Sequence, residues 1–80
     1  ELYGLLEILE RKVAESKYIS DEQKLIIESD IGTIKSQMAK PQPNFGVVKQ
    51  IWNGIEKTVT ASGLIEIINK ISGYISNLNG

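Results

Sequence analysis

The sequence predicts a small all-α fold, either a four-helix bundle or a pair of helical hairpins. Three observations lead there. Apolar residues recur at three- and four-residue spacing in four separate stretches, the period of a helix with one buried face. Those stretches are separated by Ser20-Asp21, by Pro41-Gln42-Pro43-Asn44 and by a small-residue run ending at Gly63, all of them helix starts or stops. The chain is 80 residues long, 41% hydrophobic and 24% charged, which suits one folded domain over residues 1–80 and argues against disorder.

The first helix is expected over residues 2–17. Leu2, Leu5, Leu6, Leu9 and Val13 share a face, while Glu7, Glu10, Arg11 and Glu15 fall mainly opposite. Glu7 and Arg11 stand in the favourable acid-first order one turn apart. Gly4 weakens the first turn by up to about 1 kcal/mol relative to Ala.

Ser20-Asp21-Glu22-Gln23 opens the second helix, expected over 21–39. The Ser20 hydroxyl can take a free amide, Gln23 can reach back as the capping-box partner, and the two acids suit the positive end of the helix dipole. Ile27, Ile31, Ile34 and Met38 form its apolar stripe. The helix stops at Lys40-Pro41, because a residue before proline is pushed out of the helical region.

Two prolines stiffen the connector, and Asn44 suits the N-cap of a third helix over 45–57. Phe45 is expected to pack beneath the connector and set the angle between the second and third helices. Val48, Ile51 or Trp52, Ile55 and Val59 share a face. Thr58 to Gly63 reads as a break, with Thr60 or Ser62 capping a fourth helix over 62–78. That helix would use Leu64, Ile67 or Ile68, Ile71, Tyr74 or Ile75, and Leu78, with Asn79-Gly80 as its stop. Thirteen isoleucines raise a strand alternative for the second half. Ile68, Ile71, Ile75 and Leu78 follow 3-4-3 spacing instead, which favours the helix.

Composition limits the chemistry. There is no Cys and no His, so a disulfide framework, a thiol nucleophile and the commonest metal ligand and general base are all missing. The chain starts at Glu1 without Met, and we read it as a piece of a longer or processed protein. Its acidic start does not resemble a signal peptide, and no stretch reaches the roughly 18 apolar residues of a membrane span. A cytoplasmic setting is expected. A domain this small buries only about 60% of its unfolded surface. With no staple, it needs tight helix packing or self-association.

The serines lack a histidine, and no Ser-x-x-Lys spacing occurs. The acid pairs Glu7 and Glu10, Asp21 and Glu22, and Glu28 and Asp30 have basic neighbours and fall on solvated faces or a helix start. The seven glycines never cluster into a phosphate cradle, and no calcium-loop spacing appears. We therefore expect no enzyme, no cofactor, no metal and no small-molecule substrate. The net charge of -1 gives no electrostatic footprint for nucleic acid.

Charge is uneven along the chain. Residues 1–40 hold eight acids and six bases, whereas residues 41–80 hold only Lys49, Glu56, Lys57, Glu66 and Lys70. Two readings stay open: an uncharged but solvated surface built from Asn, Ser, Thr, Gln and Gly, or, because interface cores are depleted of charge, a contact face on the third and fourth helices. The partner would be another copy of the chain or another domain of its parent protein. Trp52, Ile55, Ile68, Ile71 and Ile75 are the candidate core or interface residues, the two roles not separated by sequence. The alternative is a membrane-active domain whose helix 62–78 contacts lipid, although its polar side carries only Lys70 where interfacial helices are rich in Lys and Arg.

The runs Tyr18-Ile19-Ser20-Asp21-Glu22-Gln23-Lys24, Asp30-Ile31-Gly32-Thr33-Ile34-Lys35-Ser36-Gln37-Met38 and Lys40-Pro41-Gln42-Pro43-Asn44 carry a resemblance. Together they resemble a helical module near the C-terminus of bacterial phage-defence and conflict proteins, including AbiTii-like abortive-infection proteins. The likeness covers roughly residues 18–56 and extends loosely to the last helix. Met38 stands where the family has Leu, and Gly32 where a polar helix former is common. The shared positions are caps and turns, so no catalytic residue is carried over. The resemblance implies an accessory module attached to an effector or sensor domain.

Overall fold

A computed structural model of the chain describes residues 1–60 and 62–78. Four helices follow one another: α1 (Leu2–Glu15), α2 (Asp21–Met38), α3 (Phe45–Thr60) and α4 (Ile65–Ser76). Each packs against its two neighbours in a ring, α1 on α2 and α4, and α3 on α2 and α4. The Lys24 amine donates to the Ala14 carbonyl and Lys35 reaches Glu10, so α1 and α2 run antiparallel. Residues 1–3 lie by Tyr74 at one end, and Lys12 and Glu15 lie by Leu64 at the other. The result is an up-down-up-down bundle of 36 × 21 × 19 Å, one of the two expected architectures.

The predicted apolar stripes form the core. Leu2, Leu6, Leu9 and Val13 come from α1, and Ile27, Ile31 and Ile34 from α2. Val48, Trp52, Ile55 and Val59 come from α3, and Ile67, Ile68, Ile71 and Ile75 from α4. Leu5, Met38, Ile51, Leu64 and Leu78 pack half-buried around its edge. Trp52 rather than Ile51 and Ile75 rather than Tyr74 point inward, while Ile67 and Ile68 both do. Ile19, in the loop before α2, is buried as well. The stripe pattern did not mark it, because it lies outside any helix.

The Ser20–Gln23 capping box forms in full: Ser20 Oγ accepts from the Gln23 amide, and Gln23 Oε1 accepts from the Ser20 amide. Asn44 Oδ1 accepts from the Val47 amide, so Asn44 caps α3. The connector is tied to α2 by the Asn44 amide, which donates to Gln37 Oε1. Phe45 is only half-buried and stands outside the core cluster.

The α3–α4 junction differs from the sequence reading. α3 runs to Thr60, not Lys57. Thr58 and Thr60 donate their hydroxyls to the Gly54 and Glu56 carbonyls, so these β-branched residues are accommodated inside a helix. Burial of Val59 holds the last turn against the core. α4 starts at Ile65, not residue 62, and Leu64 precedes it without a side-chain cap. Ser62 donates to the Val59 carbonyl and closes the end of α3. Neither Thr60 nor Ser62 caps α4. Gly63 makes the turn with φ +86°, a region that a side chain disfavours. At the other ends, α1 stops two residues early at Glu15, α2 stops at Met38 and α4 at Ser76. Asn79 and Gly80 lie outside the described residues.

Candidate interaction surface

The five residues singled out by sequence are all core. Trp52 is 3% exposed, and Ile55, Ile68, Ile71 and Ile75 are equally buried. None is available to a partner in the folded bundle. They come together because α3 and α4 turn their apolar stripes to the same interior.

Trp52 brings a polar constraint into that seam. A buried indole N–H needs an acceptor, and Nε1 donates to Ser72 Oγ of α4 at 2.9 Å. The Ser72 hydroxyl donates in turn to Glu56 Oε2 at 2.8 Å. The relay crosses from α3 to α4 and back, at the floor of an open cleft rimmed by Lys49, Asn53 and Ser76. It gives Ser72 a carboxylate partner that sequence could not reveal, since Glu56 lies on a different helix. Its geometry fits a clamp between two helices. No described buried side-chain nitrogen or oxygen lacks a partner.

A second polar feature joins α1 to α2. Lys35 Nζ sits 2.7 Å from Glu10 Oε1 and 4.6 Å from the centre of the Tyr3 ring, a cation–π distance. The hydrogen bond to Glu10 raises the Lys35 pKa above its usual value. Partial desolvation opposes that rise, and the Glu10, Tyr3 and Glu7 charges add to it. Glu10 therefore does not stand among the solvated acids. Among the described residues this is the ion pair that forms; Glu7 and Arg11 are exposed and do not pair within 4 Å.

The outward surface departs from expectation. α3 and α4 do present a low-charge exterior, with Gln50, Asn53, Asn69 and Asn77 exposed. The large apolar side chains left in solvent are concentrated on the other half of the molecule. Tyr3 and Ile8 on α1, Tyr18 in the loop, and Leu25 and Ile26 on α2 are exposed, against Ile65 and Tyr74 on α4. Leu25 is 69% exposed and Ile26 56%. Sequence reading passed over this pair because only Ile27 fits the core stripe. The unbroken run Leu25-Ile26-Ile27 was the available signal, since three consecutive apolar residues cannot share one helical face.

Among the described residues, no helix is long and apolar enough to cross a membrane. No described group of three or more acidic side chains is placed to hold a metal ion. Against protein-family models, curated proteins and solved structures, the chain finds no match.

Proposed function

We propose that this chain is a non-catalytic helical interaction module, which associates with itself or docks within a larger bacterial protein. The observation that carries the reading is the set of large apolar side chains in solvent, led by Leu25 and Ile26. Exposed apolar surface is a feature of interaction sites, and in a bundle this small it lies close to the core it would extend. The likeness of residues 18–56 to helical modules of phage-defence proteins supports an accessory role beside a separate effector or sensor domain.

The lipid-contact alternative would rest on Ile65 and Tyr74, the large apolar side chains that α4 leaves exposed. The α4 isoleucines Ile67, Ile68, Ile71 and Ile75 are committed to the core, and inserting them would require opening the bundle.

Light scattering coupled to size exclusion, at several concentrations, tests the reading directly. A defined dimer or larger assembly is expected, with a thermal midpoint that rises with concentration, because association stabilises only the folded form. A monomer whose midpoint stays fixed over about a hundredfold dilution would remove self-association and leave docking to another domain.

A further inference from the structure

The outer face of α2 meets no other element of the bundle. At about 100° per residue, Glu22, Leu25, Ser29, Gly32 and Ser36 fall on one line opposite the buried Ile27, Ile31 and Ile34, and all five are exposed. Leu25 stands on this line, whereas Ile26, about 100° further round, borders the groove against Gly54 and Thr58 of α3; neither joins the core. The charge of α2 is polarised along its length. Exposed Asp21, Glu22 and Glu28 lie in the N-terminal half, and exposed Lys40 lies just past the C-terminal end. The other bases of the helix are engaged within the chain, Lys24 with the Ala14 carbonyl and Lys35 with Glu10.

We propose that a second copy of this chain covers the face, as an antiparallel α2–α2 pair about a two-fold axis between Asp30 and Ile31. This deepens the self-association reading and rests on it. Charge selects the direction. A parallel pair sets the acidic halves against each other, whereas the antiparallel pair brings Asp21 and Glu22 alongside the partner's Lys40, twice over by symmetry. Such an isologous contact is the commonest way for identical chains to close.

The same register is complementary in size. It sets Leu25 against the partner's Ser36, large against small, and Ser29 against the partner's Gly32, two small residues nearest the axis. Packing within its own chain does not require glycine at position 32, where a built Cβ meets nothing within 4 Å. Between two helices, its missing side chain lets the backbones draw together. The shared face is about 27 Å long for 18 residues at 1.5 Å each. At the helix's own width of about 10–12 Å it offers about 300 Å² a side, under half that of a standard stable interface. The dimer is accordingly a weak one that dissociates on dilution.

The test is sedimentation velocity of the chain over about a hundredfold concentration range. Leu25→Lys and Gly32→Gln are expected to weaken dimerisation at least about tenfold. Both should leave the monomer folded by circular dichroism, since each changes an exposed position. Ile65→Lys on α4 should dimerise as the unaltered chain does. Asp21→Lys with Glu22→Lys should weaken the dimer, Lys40→Glu alone should weaken it, and the three together should restore it. Dimerisation that survives Leu25→Lys and Gly32→Gln, or is lost with Ile65→Lys, would overturn this surface while leaving self-association standing. Failure of the triple charge exchange to restore the dimer would overturn the antiparallel register. A monomer throughout would remove both the surface and the self-association reading.

Discussion

Ser72→Ala probes the seam between α3 and α4 at one atom. The substitution removes the acceptor of the Trp52 indole N–H, which lies 2.9 Å away on a side chain only 3% exposed. A buried donor left unpaired costs about 1–3 kcal/mol. Glu56 loses its Ser72 donor too, but it is half-buried and regains water. Alanine is the better helix former by about 0.5 kcal/mol, which offsets part of the loss. The net effect is a destabilisation of about 0.5–2.5 kcal/mol, or a fall in Tm of about 2–20 °C for a domain of this size.

Urea titrations of the two proteins should show a lower midpoint at unchanged slope. Trp52 is the one tryptophan of the chain, so its fluorescence follows the same transition from within the seam. Glu56→Gln keeps an oxygen that accepts from Ser72 and should change stability by less than about 0.5 kcal/mol. If Ser72→Ala matches the unaltered protein within about 0.5 kcal/mol, the indole N–H reaches water through the cleft and the bond to Ser72 does not clamp α3 to α4.

Three further outcomes are expected. Gly63→Ala forces a side chain into the φ +86° turn and should cost about 1 kcal/mol in chemical denaturation; equal stability would mean that the α3–α4 turn has another conformation open to it. Ser20→Ala removes the hydroxyl half of the capping box and should cost about 1 kcal/mol, read as a lower melting midpoint with the helical signal retained. The Lys35 pKa is raised by Glu10, so its stabilisation is full below the unfolded pKa and is lost as pH rises through the folded one. The unaltered protein should therefore lose up to about 1 kcal/mol above about pH 10 relative to Lys35→Met, and parallel pH profiles for the two would rule the coupling out.

The elements were legible because their determinants are local. Ser20 and Gln23 sit three residues apart and satisfy each other's amides whatever the rest of the chain does. Asn44 caps α3 in the same way. The 3-4 spacing of Leu2, Leu6, Leu9 and Val13 marks a buried face before any partner helix is known. Thr58 to Thr60 misled for the converse reason. Their propensity argues for a break, but burial of Val59 outweighs it, and that burial depends on where α3 lies.

The surface was less legible. Low charge in residues 41–80 pointed to α3 and α4, yet Trp52, Ile55, Ile68, Ile71 and Ile75 are spent on the core. Leu25 and Ile26 were hidden beside Ile27 in one apolar run, and exposure is a property of the assembled bundle.

By itself, then, the sequence determined that this chain forms four amphipathic helices, where most of them start, and the stripe each one buries up to the choices between Ile51 and Trp52, Ile67 and Ile68, and Tyr74 and Ile75. Helical period and capping act over three or four residues, within reach of the sequence alone. Tertiary structure decided the rest. It paired Lys35 with Glu10 across 25 positions and Ser72 with Trp52 across 20, and it turned Leu25 outward. Those outcomes depend on which helix faces are covered, and coverage is set only when all four helices pack at once.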